Sequence, residues 1–250
     1  MNLHVATCNI HKGFSQFNRK LAIHDLRQQL RALAPDIVFL QEVQGLHQRH
    51  AQRHDNWPST PQHEFIAEDI WSDTAYGSNV VLDHRHHGNA ILSRFPILDS
   101  HNQDVTHLRF ERRGLLHSVI AVPGLPQPVH CVCVHLSLLG LSRRLQMDAL
   151  ARGIEALAHN AGHLVIAGDF NDWRNQARDE LAERLGLVEV FSGQQRRPPR
   201  SFPAVLPLFR LDRIYVRGFS VAQASVLSGR HWSRITDHAA LSAKLMTRVK

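Results

Sequence analysis

Short apolar segments rich in β-branched residues recur along the sequence, and only a few amphipathic stretches interrupt them. Strands are predicted over 3–10, 36–43 and 164–172, and in the segments GNAILSR, LHSVIAV, VHCVCVHLS, LDRIYVRG and HAALSAKLM. Helices are predicted over 19–33 and 142–160, with a shorter one around 176–185. Because strands outnumber helices, we expect two sheets packed face to face with helices outside, a layered α/β plan.

The sequence has no linker-like stretch and no shift in composition that would divide it. Its 250 residues can bury a large core, so we expect a single domain over residues 1–250. The 29 lysines and arginines outweigh the 22 acidic residues and give a net charge of +7. This balance is typical of a protein with a polyanionic partner, or of a solvated basic surface with none.

Three cysteines, all in apolar strand-like segments, predict buried free thiols and a reducing compartment. The N-terminal residues lack the pattern of an export signal, and no apolar run approaches the roughly 20 residues needed to cross a bilayer. We therefore expect a cytoplasmic monomer whose contact with a membrane, if it has one, is peripheral.

Most of the predicted strands begin or end near an acid, an amide or a histidine. These residues are Asn9, His11, Glu42, His135, Asp169, Asn171, Asp212, Asp237 and His238. Each one alone is compatible with a turn or a solvated strand end. Together they predict a bound cation, because ionised carboxylates at buried strand ends need compensation. Oxygen ligands point to Mg²⁺, or to Mn²⁺, and phosphate ester chemistry is the natural use of such an ion.

The motifs TCNIH, QEV, HHGNAILSR, VHLS, AGDFND, RLDRIYV and TDH follow one another between residues 7 and 238. In this order they resemble the endonuclease/exonuclease/phosphatase superfamily, a metal-dependent group that includes apurinic endonucleases, pancreatic-type deoxyribonuclease, inositol polyphosphate phosphatases and bacterial sphingomyelinases. The motif NIHKG is most similar to a bacterial branch. The resemblance implies a four-layered α/β/β/α sandwich of two mixed sheets with outer helices, and a site at one end of the sheets.

The resemblance also implies a metal site. Glu42 would be the principal ligand of Mg²⁺ or Mn²⁺, with Asn9 beside it and Asp237 close by. His11 stands where apurinic endonucleases carry an aspartate that helps to hold the metal. The number of ions is therefore left open, and the match supports the chemistry of phosphate esters better than the repair of abasic DNA.

Five further residues would take catalytic roles by the same resemblance. Asp169 would orient and activate the attacking water, and Asn171 would donate to the phosphoryl oxygens. Asp212 would fix the tautomer of His238, which would stabilise the developing charge or transfer a proton. His135 would lie by the phosphate and assist the leaving group. An inert binding module is disfavoured, because every expected acid, amide and histidine is present.

The sequence leaves the substrate open between a phospholipid or other small phosphodiester, which is favoured, and DNA or RNA. The segment 194–213 combines arginines 196, 197, 200 and 210 with apolar residues that include Phe202, Val205, Leu206 and Phe209. It could rest on an anionic membrane, grip a nucleic-acid backbone with Phe202 stacked on a base, or pack its apolar residues inward.

Candidate substrate-binding residues are His11, Asn89, Arg200, Phe202 and Trp173. Trp173 and Trp232 could line the cleft or pack at its rim. The long segment 44–78 is predicted to be a loop that faces the substrate, because loops of this length in compact domains are usually functional.

Overall fold

A computed structural model of the chain describes residues 2–47, 52–82, 85–158, 162–174, 181–193 and 198–247. Twelve strands and four α-helices lie within these ranges. The strands are β1 (Asn2–Asn9), β2 (Ile37–His47), β3 (Asp73–Leu82), β4 (Arg85–Ser93), β5 (Ile97–Asp104), β6 (Gly114–Ile120), β7 (Val129–His135), β8 (His163–Asp169), β9 (Val188–Glu189), β10 (Asp212–Arg217), β11 (Phe219–Leu227) and β12 (Ala240–Thr247). The helices are α1 (Ile23–Leu33), α2 (Gln62–Ala67), α3 (Gly140–Ala158) and the short α4 (Glu183–Leu185).

The strands form two six-stranded sheets, in the orders β11-β12-β1-β2-β4-β3 and β5-β6-β7-β8-β10-β9. Each sheet has one parallel pair at its centre, β1 with β2 and β7 with β8, between antiparallel neighbours. The two strands of a parallel pair need a crossover between them, and α1 and α3 lie in these connections. The carboxyl ends of both parallel pairs therefore offer two sheet edges on which side chains can converge.

Three apolar clusters define the layers. One lies between the sheets and contains Val5, Phe39 and Val165, all buried. The other two join α1 to the outer face of the first sheet and α3 to the outer face of the second. The central strands are covered on both faces, which explains their continuous apolar runs. The predicted α/β/β/α sandwich of two mixed sheets is confirmed.

Several sequence-based boundaries were wrong, because strands with one exposed face carry a weak apolar signal. The segment 44–78 is not one long loop, since β2 runs on to His47 and α2 and most of β3 lie within it. Trp71 is buried there, and its Nε1 donates to Pro35 O at 3.0 Å. The edge strands β5 and β11, whose side chains are largely polar and exposed, were not predicted at all.

Other expectations can be compared directly. Cys8, Cys131 and Cys133 are buried free thiols, as predicted. None of the described helices is long and apolar enough to cross a membrane. Of the helix predicted around 176–185, Glu183–Leu185 is formed, whereas residues 175–180 lie outside the described part of the chain.

Candidate active site

The candidate site lies at the carboxyl ends of the two central parallel pairs. Strand ends and adjoining turns there carry Asn9, Glu42, His135, Asp169, Asp212 and His238. The register places Asp169 opposite both His135 and Asp212 in the second sheet. Because the two sheets pack face to face, the first sheet adds its own side chains to the same place, and Asn9 Nδ2 donates to Asp169 Oδ2 at 3.2 Å.

Glu42 reaches the site through a bulge in β2. The pairing of β2 with β4 shifts register between Leu40 and Val43, and Glu42 takes a left-handed backbone conformation with φ 56°. A bulge re-aims one side chain, and left-handed backbone at a non-glycine residue is strained, so both features mark functional positions. His11, Lys12 and Asn171 also have positive φ angles and lie in the same region.

The Glu42 carboxylate faces a cation. Its Oε2 accepts no hydrogen bond from the described residues, and Lys12 Nζ lies 3.5 Å from it. Burial alone would raise the pKa of Glu42, but the positive charges of Lys12 and His11 outweigh burial and lower the pKa below its ordinary value. An ionised carboxylate with an unused oxygen is a suitable ligand for a hard divalent ion.

Asp169 is the hub of the site. Its Oδ2 accepts from Asn9 and lies 3.5 Å from His135 Nε2 and 3.9 Å from His238 Nε2. Its Oδ1 accepts from the backbone N–H of Asn171 at 2.9 Å. Burial raises the pKa of Asp169 to about 6, although His238 opposes the rise. The carboxylate is therefore fixed by donors on one oxygen and faces two imidazoles with the other.

Asp212 and His238 form a buried pair. His238 Nδ1 lies within hydrogen-bond distance of Asp212 Oδ2, at 2.9 Å. Burial opposes the charging of His238, but Asp212, supported by Asp169, raises its pKa to about 10. The imidazolium donates from both nitrogens, so Nδ1 is held by Asp212 while Nε2 points toward Asp169. The ring of Phe202 lies 4.8 Å from the His238 ring, centroid to centroid.

Asn171 and His135 complete the floor of the site. Asn171 follows β8 in a left-handed conformation, and its Nδ2 donates to Leu136 O at 2.9 Å. This bond uses one of the two Nδ2 hydrogens and orients the amide. Burial, with a smaller contribution from Arg113, lowers the pKa of His135 well below its ordinary value. His135 is therefore neutral at pH 7.

Two groups of residues could hold a metal ion. The closest cluster of His, Cys, Asp and Glu ligand atoms in the described ranges is that of Asp169, Asp212 and His238, whose atoms lie within 4.8 Å of one another. His238 is a poor ligand in this state, because a protonated imidazole has no lone pair to offer. The unpartnered oxygen of Glu42 fits an ion better, and Asn9 neighbours it on the adjacent strand.

Asp237 and His11 lie together beside Asn9. His11 Nε2 is 3.9 Å from Asp237 Oδ2, and both side chains keep about one fifth of their surface exposed, at 18%. Asn9 Oδ1 accepts from the backbone N–H of His11 at 3.1 Å. The 3₁₀ turn His11–Gly13 thus positions these groups around the end of β1.

The predicted substrate-binding residues are scattered more widely. Asn89 is buried in the cleft wall, where its Nδ2 donates to Gly114 O at 3.0 Å and to Cys133 O at 3.4 Å. Arg200 is exposed, and Trp173 is partly exposed with its ring edge-on to Phe209 at 5.4 Å. Trp232 is packed in the core beside α1 instead of lining the cleft.

The segment 194–213 does not pack its apolar residues inward. Val205, Leu206, Leu208 and Phe209 are all exposed. The prediction of inward packing is therefore wrong for these residues. Arg196 and Arg197 lie outside the described residues.

A cleft of about 760 Å³ opens above the site. Glu42, Asn89 and His135 form part of its floor, and its walls add residues that the sequence analysis did not single out: Lys12, Asn79, His87, Arg109, Phe110, Glu111, Arg112, Arg113, Leu138 and Leu139. The run RFERR at 109–113 was the available signal, because it places three arginines around an aromatic residue just before a strand.

Comparisons with known proteins agree with this geometry. The Endonuclease/Exonuclease/phosphatase family matches residues 6–238. The chain is 44% identical over 241 residues to the uncharacterized protein YbhP of Escherichia coli strain K12, which covers 96% of this chain and 95% of that relative.

Two solved structures share the fold. An endonuclease/exonuclease/phosphatase from Beutenbergia cavernae DSM 12333 superposes with a TM-score of 0.77 at 22% identity, over 98% of this chain and 72% of that one. The human Nocturnin catalytic domain with bound sulfate anion gives a TM-score of 0.76 at 16% identity, over 99% of this chain and 95% of that one. The family match over nearly the whole chain and the common fold lead to one assignment: the chain belongs to the endonuclease/exonuclease/phosphatase family, a family of phosphate ester hydrolases.

Proposed function

We propose that this chain is a divalent-metal-dependent phosphodiesterase that acts on a phospholipid or another small phosphodiester. The observation that carries the proposal is the position of Asp169. Its buried carboxylate is held by Asn9 and Asn171 and faces His135 and His238, at one end of a cleft that also contains Glu42. Hydrolysis of a phosphate ester needs an oriented water and compensation of charge on the phosphoryl oxygens, and this arrangement offers groups for both.

Glu42, with Asn9 and Asp237 near it, would hold the ion, as the unpartnered Oε2 of Glu42 indicates. Mg²⁺ or Mn²⁺ bound there would act as a Lewis acid toward the phosphoryl oxygen and lower the pKa of a coordinated water.

Asp169 would align the attacking water and accept its proton through Oδ2, the oxygen that points into the site. His238, held by Asp212 and charged, would donate from Nε2 to the phosphoryl oxygen on which negative charge develops. Asn171 would donate the second Nδ2 hydrogen to the same group. Neutral His135 would support the leaving oxygen by a hydrogen bond and would not transfer its proton, because burial disfavours its charged form.

A nuclease is the second candidate, and the charge of the cleft favours it. Lys12, Arg109, Arg112 and Arg113 line the walls, and such a cluster complements the phosphates of a nucleic-acid strand. The two candidates share the chemistry and differ in recognition. Cleavage of nucleic acid at subsaturating substrate should fall steeply as salt is raised, whereas hydrolysis of a small uncharged-headgroup diester should fall much less.

A substrate panel tests both candidates. The purified chain is incubated with a water-soluble phosphodiester such as bis(p-nitrophenyl) phosphate, phospholipid vesicles, plasmid DNA and RNA, with Mg²⁺, with Mn²⁺ or with EDTA. We expect metal-dependent turnover of the soluble diester and of phospholipid, and its loss in EDTA. Preferred cleavage of DNA or RNA would establish the nuclease instead, and no turnover of any substrate with either ion would refute the proposal.

A further inference from the structure

Exposed apolar side chains surround the mouth of the cleft. We call five of them the apolar rim: Phe110 (82% exposed), Leu138 (51%), Leu139 (49%), Leu141 (66%) and Trp173 (44%). Phe110, Leu138 and Leu139 line the cleft that contains Glu42 and His135. Leu138 also borders a neighbouring cavity that Leu141 and Trp173 line. The rim is therefore one continuous surface that begins at the candidate active site.

The rim leucines project from a backbone that is fixed from below. Arg143, which is buried, donates from Nη1 to Ser137 O and to Leu138 O, both at 3.0 Å. Buried Gln146 accepts from the Ser137 N–H at 2.7 Å, and Glu111 accepts from the Leu138 N–H at 3.1 Å and from the Ser137 hydroxyl. With the backbone held in this way, Leu138 and Leu139 cannot turn inward without breaking buried hydrogen bonds. Their exposure is built into the fold.

Cationic residues accompany the rim on both sides. Arg109 and Arg112 line the cleft with Phe110, and Arg144 and Arg174 line the second cavity with Trp173. Apolar side chains interspersed with arginines match a surface that offers hydrocarbon and negative charge together. The chain as a whole carries a net charge of +7, which adds to the attraction.

The chemistry of the rim distinguishes lipid from nucleic acid. Three of its five members are leucines, and an aliphatic side chain gives a base no ring to stack on, whereas it inserts readily between acyl chains. Trp173 contacts Phe209 and so extends the surface to the exposed segment that holds Leu206 and Leu208. A single-stranded nucleic acid would be matched by aromatic residues in these places.

We propose that the apolar rim docks on the surface of an anionic phospholipid bilayer, so that the cleft opens onto the headgroup layer. The proposal rests on the proposed function for its biological sense, because it supplies the diester at the place where the site can reach it. It names the partner of the site and makes no further claim about the headgroup.

Flotation with liposomes tests the docking without any catalytic readout. The full chain is mixed, in EDTA, with vesicles of phosphatidylglycerol and phosphatidylcholine or of phosphatidylcholine alone. We expect binding to the anionic vesicles, and the double variant Leu138→Ser/Leu141→Ser should bind them about tenfold more weakly or worse. Serine removes the apolar surface and leaves the charge unchanged, so the loss would report insertion.

A matched control removes exposed apolar surface far from the rim. Leu98 and Met246 are exposed, and the register places their neighbourhoods, Ile97 opposite Ile120 and Met246 opposite Asn2, at the other end of the sheets from the site. The variant Leu98→Ser/Met246→Ser should bind anionic vesicles as the parent does. Equal losses in the two variants would overturn the proposal, and so would parent binding that the rim variant retains.

Activity on the water-soluble diester separates this inference from the proposed function. The rim variant should hydrolyse that substrate at the parental rate, since neither leucine contacts the acids or histidines of the floor. Soluble turnover without vesicle binding would refute the docking and leave the proposed function standing. Vesicle binding without turnover would do the reverse. Loss of oligonucleotide binding in the rim variant, with no vesicle binding by the parent, would identify the rim as a nucleic-acid surface and refute the lipid proposal.

Discussion

The Nδ1 of His238 lies 2.9 Å from Asp212 Oδ2, and both residues are buried beside Asp169. Asp212 begins β10 and His238 precedes β12, so the pair joins the second sheet to the first. Its consequence is directional, because the hydrogen bond fixes the ring plane and leaves Nε2 facing the cleft.

Removal of the imidazole should abolish most of the activity. We expect His238→Ala to lower kcat for a soluble phosphodiester about a hundredfold or more, because the developing charge on the phosphoryl oxygen loses its donor. Asp212→Asn keeps the shape and removes the charge, and it should give a smaller loss. Steady-state kinetics measure both, and thermal denaturation checks that the variants are folded. Parental turnover in His238→Ala would remove the residue from the mechanism.

The Glu42 carboxylate should determine metal affinity. Glu42→Gln keeps the size of the side chain and removes the negative charge, so Mn²⁺ should bind about tenfold more weakly or worse. Titration followed by the electron paramagnetic resonance of free Mn²⁺ measures the affinity directly, without reference to turnover. The exposed acid Glu64 offers a matched control, since Glu64→Gln changes the same charge in α2 and should leave Mn²⁺ binding unchanged. Equal affinity in parent and Glu42→Gln would place the ion elsewhere.

The residue before Asp169 has to be glycine. Gly168 has φ 145°, and a Cβ there would collide with the carbonyl oxygen of Val134 on the neighbouring strand. We expect Gly168→Ala to lower the free energy of unfolding by about 2 kcal/mol or more and to displace Asp169. Gly193→Ala is the control, because a Cβ at that position meets nothing within 4 Å. Urea denaturation of both variants decides the matter, and equal stabilities would contradict the prediction.

Glu189 should make stability depend on pH. Burial raises its pKa to about 7, against the opposing charge of Arg213, while Oε2 accepts from the Phe191 N–H at 2.9 Å. A raised folded pKa stabilises the protein fully below the unfolded value of 4.5, and this contribution is lost as the pH rises through about 7.

The variant Glu189→Gln isolates this effect, because it keeps an acceptor for Phe191 and does not titrate. Between pH 5 and pH 8 the free energy of unfolding of the parent should fall, relative to the variant, by about 2 to 3 kcal/mol. Urea denaturation at the two pH values measures the difference. If parent and variant change in parallel, the carboxyl group is not buried in its neutral form.

The centre of the fold could be predicted from the sequence, and its edges could not. Strands such as β2 and β8 are buried on both faces and show as continuous apolar runs. The edge strand β5, with the sequence ILDSHNQD, is mostly exposed and has no apolar pattern. Gly77 and Ser78 interrupt the pattern of β3, which explains why that region was taken for a loop.

The candidate site shows the same division. Sequence order identified the groups at strand ends, and the structure brings Asn9, Asp169 and His238 together as expected. The left-handed backbone that aims Glu42 has no signal in the residue type, since glutamate rarely adopts it. The exposed leucines of the apolar rim were not foreseen either, because the buried hydrogen bonds that hold them outward come from distant residues such as Glu111.

The central claim is that Asp169 activates water for hydrolysis of a phosphodiester. The most direct test is the kcat of Asp169→Asn and of the parent on bis(p-nitrophenyl) phosphate at saturating Mg²⁺. The amide cannot accept the proton but preserves the shape of the site, so kcat should fall about a hundredfold or more while the melting temperature stays close to that of the parent. A kcat within about twofold of the parent would contradict the account.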